Sequence, residues 1–371
     1  MGSARQPGDL VCDRIPYRRL PPGHDHRRLL RLAPEPPLDG RPPQRGDRRG
    51  GSAFETRHRD RSSLTALTEP FVEVEACAKI NLRLAVLARE TTGYHSLETI
   101  FCGISLADTI RVRSAEPGIR LSVEGDIATG PADENLAVRA ADRFHQAAGI
   151  VPAIHITLEK RIPSGAGLGG GSSDAAATLR LLSTLYHQPL QKKKLLEIAA
   201  GIGSDVPFFL TDTPLALAWS RGERLLELPP LPNRHVVVAY PGTPLPTAGA
   251  FARLAVLRSD APTTPPPIAI ATDELTSWDR LAPYAANDLE PVAFERIPGL
   301  PEALRLLLDS GASIALLAGS GSAIFGIFDD PYYAKPAVRA LLASGFATWQ
   351  ARTLDTWPPP RRRIDPNATN K

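Results

Sequence analysis

The stretch that decides the fold is Pro163-Ser164-Gly165-Ala166-Gly167-Leu168-Gly169-Gly170-Gly171-Ser172-Ser173-Asp174, a glycine-rich loop. Apolar and polar residues alternate over 154–159, which predicts a half-buried strand before the loop. Apolar residues at helical spacing over 175–185 predict a helix after it, with Ser172 and Ser173 as candidate N-caps. Glycines let the backbone approach a ligand, and the free N–H groups at a helix N-terminus attract anions. The order strand, glycine loop, helix therefore predicts a phosphate-binding site.

Two standard phosphate-binding motifs compete for this loop. A P-loop needs a lysine where this chain has Gly171 or Ser172, which excludes that motif. The spacing Gly165-x-Gly167-x-x-Gly170 satisfies the dinucleotide fingerprint, with Glu197 as the distant acid that would bind a ribose. A third interpretation is a turn that only lets the helix pack on the strand. The length of the loop and its flanking serines favour phosphate binding over such a turn.

The loop resembles the ATP-binding motif of the galactokinase, homoserine kinase, mevalonate kinase and phosphomevalonate kinase (GHMP kinase) superfamily. Five further segments resemble the branch of this superfamily that phosphorylates 4-diphosphocytidyl-2-C-methyl-D-erythritol. They are Ala78-Lys79-Ile80-Asn81-Leu82, Thr92-Gly93-Tyr94-His95, Gly203-Ser204-Asp205-Val206-Pro207-Phe208-Phe209, Asn287-Asp288-Leu289-Glu290 and Gly319-Ser320-Gly321-Ser322. All of these segments follow the order of the family, and the resemblance extends from about residue 72 to about residue 355.

This resemblance implies an α+β, two-domain GHMP kinase fold. The N-terminal half should be like the second domain of ribosomal protein S5 and the C-terminal half ferredoxin-like, with the active site in the cleft between them. A proline-rich break at 229–232 places the domains at 71–231 and 232–356, and a flexible tail is expected at 357–371. Periodicity in the second half predicts strands at 235–240 and 323–328 and helices at 248–257, 301–308 and 334–343. Composition alone indicates only an α/β or α+β fold.

The resemblance implies ATP-dependent phosphorylation of the 2-hydroxyl of 4-diphosphocytidyl-2-C-methyl-D-erythritol in the non-mevalonate (MEP) isoprenoid precursor pathway. Such a transfer needs charge neutralisation, alignment of the hydroxyl and removal of its proton. By resemblance, Asp205 is the general base, and Lys79 pairs with it and stabilises the developing negative charge. From the residues alone, Asp205 also suits a turn or helix cap, and Lys79 suits an edge strand. The chain has only seven lysines against 36 arginines, so a lysine in this apolar strand runs against its composition.

The predicted ATP site combines the glycine loop with a segment of the other domain. Its members are Pro163, Ser164, Gly165, Ala166, Gly167, Leu168, Gly169, Gly170, Gly171, Ser172, Ser173, Gly319, Ser320 and Gly321. Mg²⁺ is expected with ATP near the hydroxyl of Ser172 or Ser173 and not in a fixed protein site. Residues 319–321 equally suit an ordinary turn. Ala318 precedes Gly319 where the family commonly has serine, which leaves a backbone role for this segment.

Substrate selectivity is assigned to Asn81, Tyr94, His95, Thr247 and Phe251. A cytosine ring has a face for stacking and an edge of donors and acceptors, so an aromatic side chain beside an imidazole suits it. By resemblance, His95 binds the base edge while Tyr94 and Phe251 enclose the ring. Asn81 and Thr247 are expected as further substrate contacts. Tyr94 and His95 also suit an ordinary surface loop.

The first 70 residues differ in character from the rest of the chain. They contain 14 arginines, no lysine and nine acidic residues, a net charge of +5, against −2 for the remainder. This Arg/Pro-rich extension lacks apolar periodicity, so we expect it to be disordered. Its nine acids disfavour a transit peptide. Because chains of the family begin shortly before the Ala-Lys-Ile-Asn segment, we expect translation to start near Leu64 to Val72. A nucleic-acid-binding arm is the functional alternative.

Composition restricts the location and the partners. The chain has no run of 18 apolar residues, so no transmembrane helix is expected. Cys12, Cys77 and Cys102 are far apart and lack metal-ligand spacing, which favours a reducing compartment. We therefore expect a cytoplasmic monomer or weak homodimer. Its partners should be ATP, Mg²⁺ and a small substrate in which methylerythritol is linked to cytidine diphosphate, without nucleic acid or membrane.

Three other functions make different demands on the sequence. A sister kinase for homoserine, mevalonate or a sugar would not need the Gly93-Tyr94-His95 segment or Phe251. A catalytically silent nucleotide-binding protein would be expected to have lost Lys79 or Asp205, and both are present. An arginine-rich RNA-binding protein predicts salt-sensitive binding that disappears when residues 1–70 are removed.

Overall fold

The computed structural model describes residues 70–89, 95–127, 129–260 and 270–363, which lie in one compact unit with two sheets. The strands are β1 (Phe71–Arg89), β2 (His95–Ser114), β3 (Gly118–Glu124), β4 (Ala153–Glu159), β5 (Leu215–Ser220), β6 (Arg224–Glu227), β7 (His235–Tyr240), β8 (Ala286–Asn287), β9 (Ile314–Leu317), β10 (Ile324–Phe328), β11 (Ala347–Arg352) and β12 (Arg361–Arg363). The α-helices are α1 (Leu136–Ala148), α2 (Gly170–Leu185), α3 (Lys192–Ile202), α4 (Thr247–Asp260), α5 (Trp278–Leu281), α6 (Glu290–Arg296), α7 (Leu300–Asp309) and α8 (Pro331–Ala343). Short 3₁₀ helices lie at Ala132–Glu134, Val206–Leu210, Thr272–Leu275 and Ala282–Tyr284.

The larger sheet is organised around the long β1–β2 pair. Its main order is β12-β1-β2-β4-β3, with β5 joining β2 to β6 and β8 added parallel to β1. The register between β1 and β2 shifts at Cys77/Ala78 and again at Asn81/Arg83. Such bulges increase the local twist and turn side chains in new directions, and they are common beside functional sites. The two irregularities lie on either side of Lys79, the lysine predicted to take part in catalysis.

The smaller sheet has the strand order β11-β7-β10-β9, and every neighbouring pair is antiparallel. Helices α4 to α7 connect its first strand to β9, and α8 connects β10 to β11. This is the β-α-β-β-α-β arrangement of ferredoxin-like folds. The ferredoxin-like half is confirmed, and so are the strands and helices that periodicity predicts in the second half of the chain.

The two sheets share an apolar core. Ile80 and Leu82 of β1 belong to the same buried cluster as Val236 and Val238 of β7 and Phe325 of β10. Strands β8 and β12 come from the second half of the chain, yet both pair with β1. Burial of apolar surface stabilises the folded state by roughly 25 cal/mol per Å², so this shared cluster stabilises the contact between the two sheets. Sheet pairing and core packing therefore continue across the proline-rich break near residue 231.

Part of the segment expected as a flexible tail belongs to the folded body, so that expectation is wrong for residues 357–363. The indole of Trp357 is buried with its centroid 5.3 Å from the ring of Phe208 and 5.7 Å from that of Phe209. Residues 361–363 then pair with β1 as strand β12. Aromatic burial and strand pairing thus hold this stretch. The rest of the predicted tail, 364–371, and residues 1–69 lie outside the described residues.

Every helix in the described part of the chain is too short or too polar to cross a lipid bilayer.

We predict that Trp357→Ala lowers the free energy of unfolding by about 3–5 kcal/mol, because it removes the indole from a buried aromatic cluster and leaves a cavity. Urea denaturation followed by far-UV circular dichroism measures this loss. Trp219→Ala is the matched control, since Trp219 is 39% exposed on β5 and should cost much less. Equal losses in the two variants would contradict a stabilising role for the C-terminal segment.

Candidate active site

A cleft of about 560 Å³ opens beside the glycine loop, and most of the predicted site residues line it. The predicted residues in its wall are Lys79, Asn81, the whole of 163–172, Asp205, Thr247, Phe251, Gly319 and Ser320. Ser173 and Gly321 are not among the lining residues. Tyr94 lies outside the described residues, and only the backbone of His95 is described, as the first residue of β2. One cleft therefore collects side chains from both halves of the chain.

The two predicted ATP-binding segments contact each other. Gly167 has a φ of 82°, and a Cβ at this position would lie 1.9 Å from the carbonyl oxygen of Ala318. Beside it, the Ala323 amide donates a hydrogen bond to the Ala166 carbonyl at 3.1 Å. Only glycine fits such a backbone-to-backbone approach. The glycine loop and the 319–321 segment therefore form one continuous wall of the cleft.

Helix α2 begins two residues before the predicted N-cap position. Gly169 is its N-cap, in the left-handed region at φ 72°, and the Ser173 amide donates to the Gly169 carbonyl at 2.9 Å. Ser172 and Ser173 consequently lie within the first turn, and their assignment as N-caps is wrong because Gly170 and Gly171 already adopt helical conformation. Ser173 is buried, whereas Ser172 is half-buried and lines the cleft. Ser172 is therefore the serine of this turn that a ligand in the cleft can contact.

Lys79 and Asp205 form an ion pair at the floor of the cleft. Lys79 is only 4% exposed, and its Nζ lies 3.4 Å from Asp205 Oδ2 and 5.4 Å from the centroid of the Phe101 ring. A buried ammonium group requires such partners. The Asp205 side chain is 30% exposed and caps no N–H of the 3₁₀ helix that it precedes. Its carboxylate is thus held by Lys79 and remains accessible from the cleft.

A chain of hydrogen bonds fixes the Lys79 ammonium from below. Lys79 Nζ donates to Asn81 Oδ1 at 2.8 Å, and Asn81 Nδ2 donates to Thr99 Oγ1 at 2.7 Å. Thr99 Oγ1 in turn donates to the carbonyl of Arg83 at 2.6 Å. Sequence reasoning missed Thr99 and Phe101, because their proximity to Lys79 depends on the register between β1 and β2. Nothing in the local sequence of β2 marks either residue.

The far wall of the cleft joins the ATP-side segment to helix α4. Thr247 Oγ1 and Ser320 Oγ lie 2.8 Å apart in a hydrogen bond. Thr247 is the first residue of α4, and Phe251 follows one helical turn later. Both line the cleft beside Ser320. Residues predicted for the nucleotide and for the acceptor therefore face the same space.

A buried group of three charges lies at the entrance to the glycine loop. Lys160 Nζ donates to Asp108 Oδ2 at 2.5 Å and to Asp174 Oδ2 at 2.9 Å, and Lys160 itself lines the cleft. Asp108 Oδ1 also accepts the backbone N–H groups of Arg161 and Ile162. The cluster thus ties β2 and α2 to the start of the loop. Lysine is scarce in this chain, and that same signal would have selected Lys160.

Burial perturbs the ionisation of this cluster. Desolvation raises the pKa of Asp174 to about 7, and its Oδ1 is buried without a hydrogen-bond partner among the described residues. Desolvation also disfavours the charged Lys160 ammonium, but the charges of Asp174 and Asp108 outweigh it and raise the pKa of Lys160 overall. Two carboxylates therefore share one buried ammonium ion.

We predict that Asp174→Asn removes part of the pH dependence of stability. The pKa of Asp174 rises from 3.8 to about 7 on folding, so the folded state binds more protons between these values. The wild-type free energy of unfolding should then fall as pH rises from about 4 to about 7. In Asp174→Asn this fall should be smaller, as measured by urea denaturation across the range. Asp212→Asn is the control, since Asp212 is 80% exposed beside Lys192. A variant with the wild-type slope would show that Asp174 ionises normally.

Comparison with known proteins assigns both halves of the chain. Residues 135–213 match the GHMP kinases N terminal domain, and residues 269–347 match the GHMP kinases C terminal domain. The 4-diphosphocytidyl-2-C-methyl-D-erythritol kinase of Geobacter sp. (strain M21) is 40% identical over 268 residues, which cover 72% of this chain and 92% of that protein. The protein of the same name from Solibacter usitatus (strain Ellin6076) is 43% identical, over 71% of this chain and 83% of its own length.

Solved structures agree with this assignment. The crystal structure of a 4-(cytidine 5'-diphospho)-2C-methyl-D-erythritol kinase is similar with a TM-score of 0.64 at 36% identity, covering 76% of this chain and 98% of that one. The homoserine kinase from Cytophaga hutchinsonii ATCC 33406 has a TM-score of 0.60 at 18% identity, covering 80% of this chain and 98% of that one, which shows the fold alone. Fold and matched domains define a GHMP kinase, and the predicted fold class is confirmed. At 40% identity over nearly the full length of a relative, the chain belongs to the family of 4-diphosphocytidyl-2-C-methyl-D-erythritol kinases.

Proposed function

We propose that this protein transfers the γ-phosphoryl group of ATP to the 2-hydroxyl of 4-diphosphocytidyl-2-C-methyl-D-erythritol, in the MEP pathway to isoprenoid precursors. The observation that carries the proposal is the Lys79–Asp205 pair, 3.4 Å apart, at the floor of a cleft whose wall is the glycine loop. Relatives with 40% and 43% identity over most of their length bear the name of this kinase.

Asp205 and Lys79 have different roles in the proposed phosphoryl transfer. Asp205 orients the 2-hydroxyl and accepts its proton while the new P–O bond forms and the bond to the β-phosphate oxygen breaks. Lys79 places a fixed positive charge beside the transferred group, where negative charge develops. Because Asn81 and Phe101 hold the ammonium in place, little reorganisation is required when the substrates bind. Asn81 thus contributes by orienting Lys79 in addition to the substrate contact expected for it.

The glycine loop suits the triphosphate. Its backbone is free of side chains at Gly165, Gly167 and Gly169, and the first turn of α2 presents unpaired N–H groups with the Ser172 hydroxyl. Within the described residues, no group of three or more acidic, histidine or cysteine side chains could hold a metal ion. Of the two serines expected near Mg²⁺, Ser172 offers its hydroxyl oxygen to the cleft, which fits Mg²⁺ bound through the nucleotide. When bound, Mg²⁺ neutralises phosphate charge.

The acceptor is proposed to bind between α4 and the start of β2. Phe251 and Thr247 supply an aromatic ring and a hydroxyl in the described cleft. Tyr94 and His95 are proposed from the sequence as the partners of the cytosine ring. Arg221 also lines the cleft and was not selected from the sequence, and it adds positive charge toward a diphosphate-bearing substrate. This combination supports a cytidyl diphosphate substrate.

We further propose a cytoplasmic protein that acts as a monomer or weak homodimer without a nucleic-acid partner. The two described cysteines, Cys77 and Cys102, are free, buried thiols, which supports a reducing compartment. The nucleic-acid alternative rests on residues 1–70, of which only residue 70 is among the described residues.

The direct test is ATP-dependent phosphorylation by the purified chain, with homoserine and mevalonate assayed in parallel. We expect turnover of 4-diphosphocytidyl-2-C-methyl-D-erythritol alone, because Phe251 and Thr247 lie in the cleft beside the catalytic pair. Product is measured by coupled ADP release and by phosphorus NMR. Turnover of homoserine or mevalonate at a comparable rate would reject the substrate, and absence of turnover with intact ATP binding would reject the activity.

We predict that Asp205→Asn lowers kcat by about 10²–10⁴ and leaves ATP affinity nearly unchanged, since the amide keeps the shape but cannot accept the proton. Steady-state kinetics and calorimetric titration with ATP measure the two quantities. Asp212→Asn, an exposed acid seven residues further on, serves as the matched control and should retain wild-type kcat. A near-normal rate in Asp205→Asn would remove Asp205 from the role of general base.

A further inference from the structure

The segment Asn287-Asp288-Leu289-Glu290 lies behind the cleft, and its side chains contact two different walls. Its backbone is anchored to β1, where Leu84 pairs with Asn287 and the Asp288 amide donates to the Leu84 carbonyl at 3.0 Å. None of its four residues lines the cleft. The segment therefore acts on the site only through the residues that it holds.

Asn287 holds the ATP-side wall. Its buried amide nitrogen donates to the carbonyls of Leu317 and Gly319, both at 2.8 Å. Glu290 completes this contact, because its Oε1 accepts the N–H of Leu317 at 3.1 Å. Gly319 has a φ of 55°, and a Cβ there would lie 2.9 Å from Lys79 Nζ. The amide of Asn287 thus sets how closely the 319–321 segment approaches the catalytic ammonium.

Asp288 holds the acceptor-side wall. Its Oδ2 accepts the N–H of Val86 at 2.8 Å and a guanidinium N–H of Arg258 at 2.6 Å. Arg258 also donates to the Val86 carbonyl, so carboxylate and guanidinium together bind both backbone polar groups of one residue near the end of β1. Arg258 lies in the last turn of α4, the helix that carries Thr247 and Phe251. The pair therefore sets the spacing between α4 and the end of β1.

We infer that this segment is a two-sided positioning element, in which Asn287 governs phosphoryl transfer and the Asp288–Arg258 pair governs affinity for the acceptor. Asn287 is the last residue of β8 and Asp288 is the first residue of the turn that follows, so the two neighbouring side chains contact opposite walls. Exposed ion pairs usually contribute little. This pair is partly buried and also pairs both polar groups of Val86, so its loss leaves several groups without partners. The division into acceptor and ATP sides rests on the proposed function.

Steady-state kinetics of the full chain tests the inference through the pattern of KM and kcat. Asp288→Asn and Arg258→Met should each raise KM for 4-diphosphocytidyl-2-C-methyl-D-erythritol about tenfold, with KM for ATP and kcat changed less than about twofold. The double variant should be no worse than either single one, because the two side chains act as a unit. Asn287→Ala should instead lower kcat about tenfold or more while KM for the acceptor stays near its wild-type value.

Arg253→Met is the matched control. Arg253 is another arginine of α4 and pairs with Glu295 of α6 at 2.8 Å, so its replacement should leave all three constants unchanged. Thermal unfolding of each variant checks that the fold persists. If Asp288→Asn and Asn287→Ala changed kcat and both KM values alike, the segment would be merely structural and the inference would be overturned.

Amide hydrogen exchange separates this inference from the proposed function, because it needs no substrate. Asp288→Asn should speed exchange in α4 and at residue 86 and spare Leu317, whereas Asn287→Ala should do the reverse. Inactivity of the wild-type chain with this pattern present would reject the proposed function and keep the positioning element. A pattern in which both variants loosen both walls would reject the positioning element whatever the activity.

Discussion

The buried ammonium group of Lys79 is the constraint on which the rest of the site depends. A cation that is 4% exposed is costly unless it is paired and hydrogen-bonded. Its partners come from three separate parts of the chain: Asn81 on the same strand, Phe101 on β2 and Asp205 before a 3₁₀ helix. The folded chain must bring these parts together to satisfy one charge. The same requirement orients the carboxylate that the proposed reaction uses.

Two glycines of the cleft are required by the close packing of backbone around Lys79. A Cβ on Gly169 would lie 3.0 Å from Lys79 Cγ, and one on Gly319 would lie 2.9 Å from Lys79 Nζ. Both segments therefore approach Lys79 with backbone that carries no side chain. Their backbone N–H groups then lie close to the ammonium group that is proposed to stabilise the phosphoryl group. The Lys79 amide also donates to the Leu168 carbonyl at 2.9 Å. Strand and glycine loop are thus coupled through backbone as well as side chain.

The second half of the chain supplies the opposite wall and the means to hold it. Strand β8 joins the larger sheet at β1, and the residues that follow it contact both the 319–321 segment and helix α4. A hydrogen bond between Thr247 and Ser320 also connects helix α4 to the 319–321 segment within that wall. The floor of the cleft and its far wall are therefore both attached to β1. This strand thus determines where the proposed nucleotide and acceptor sites lie relative to each other.

The sequence by itself determined the elements and residues whose signals are local. Glycine spacing located the phosphate loop, periodicity located β4, β7, β10 and helices α4, α7 and α8, and resemblance to the family selected Lys79, Asp205, Thr247 and Phe251. Only the tertiary structure decided the β1–β2 register that brings Thr99 and Phe101 to Lys79, and the Lys160–Asp108–Asp174 cluster. It also decided the burial of Trp357, which had been expected in a flexible tail. The reason is physical: periodicity and propensity act within a few residues, whereas register, ion pairing and aromatic packing join residues that are distant in the chain.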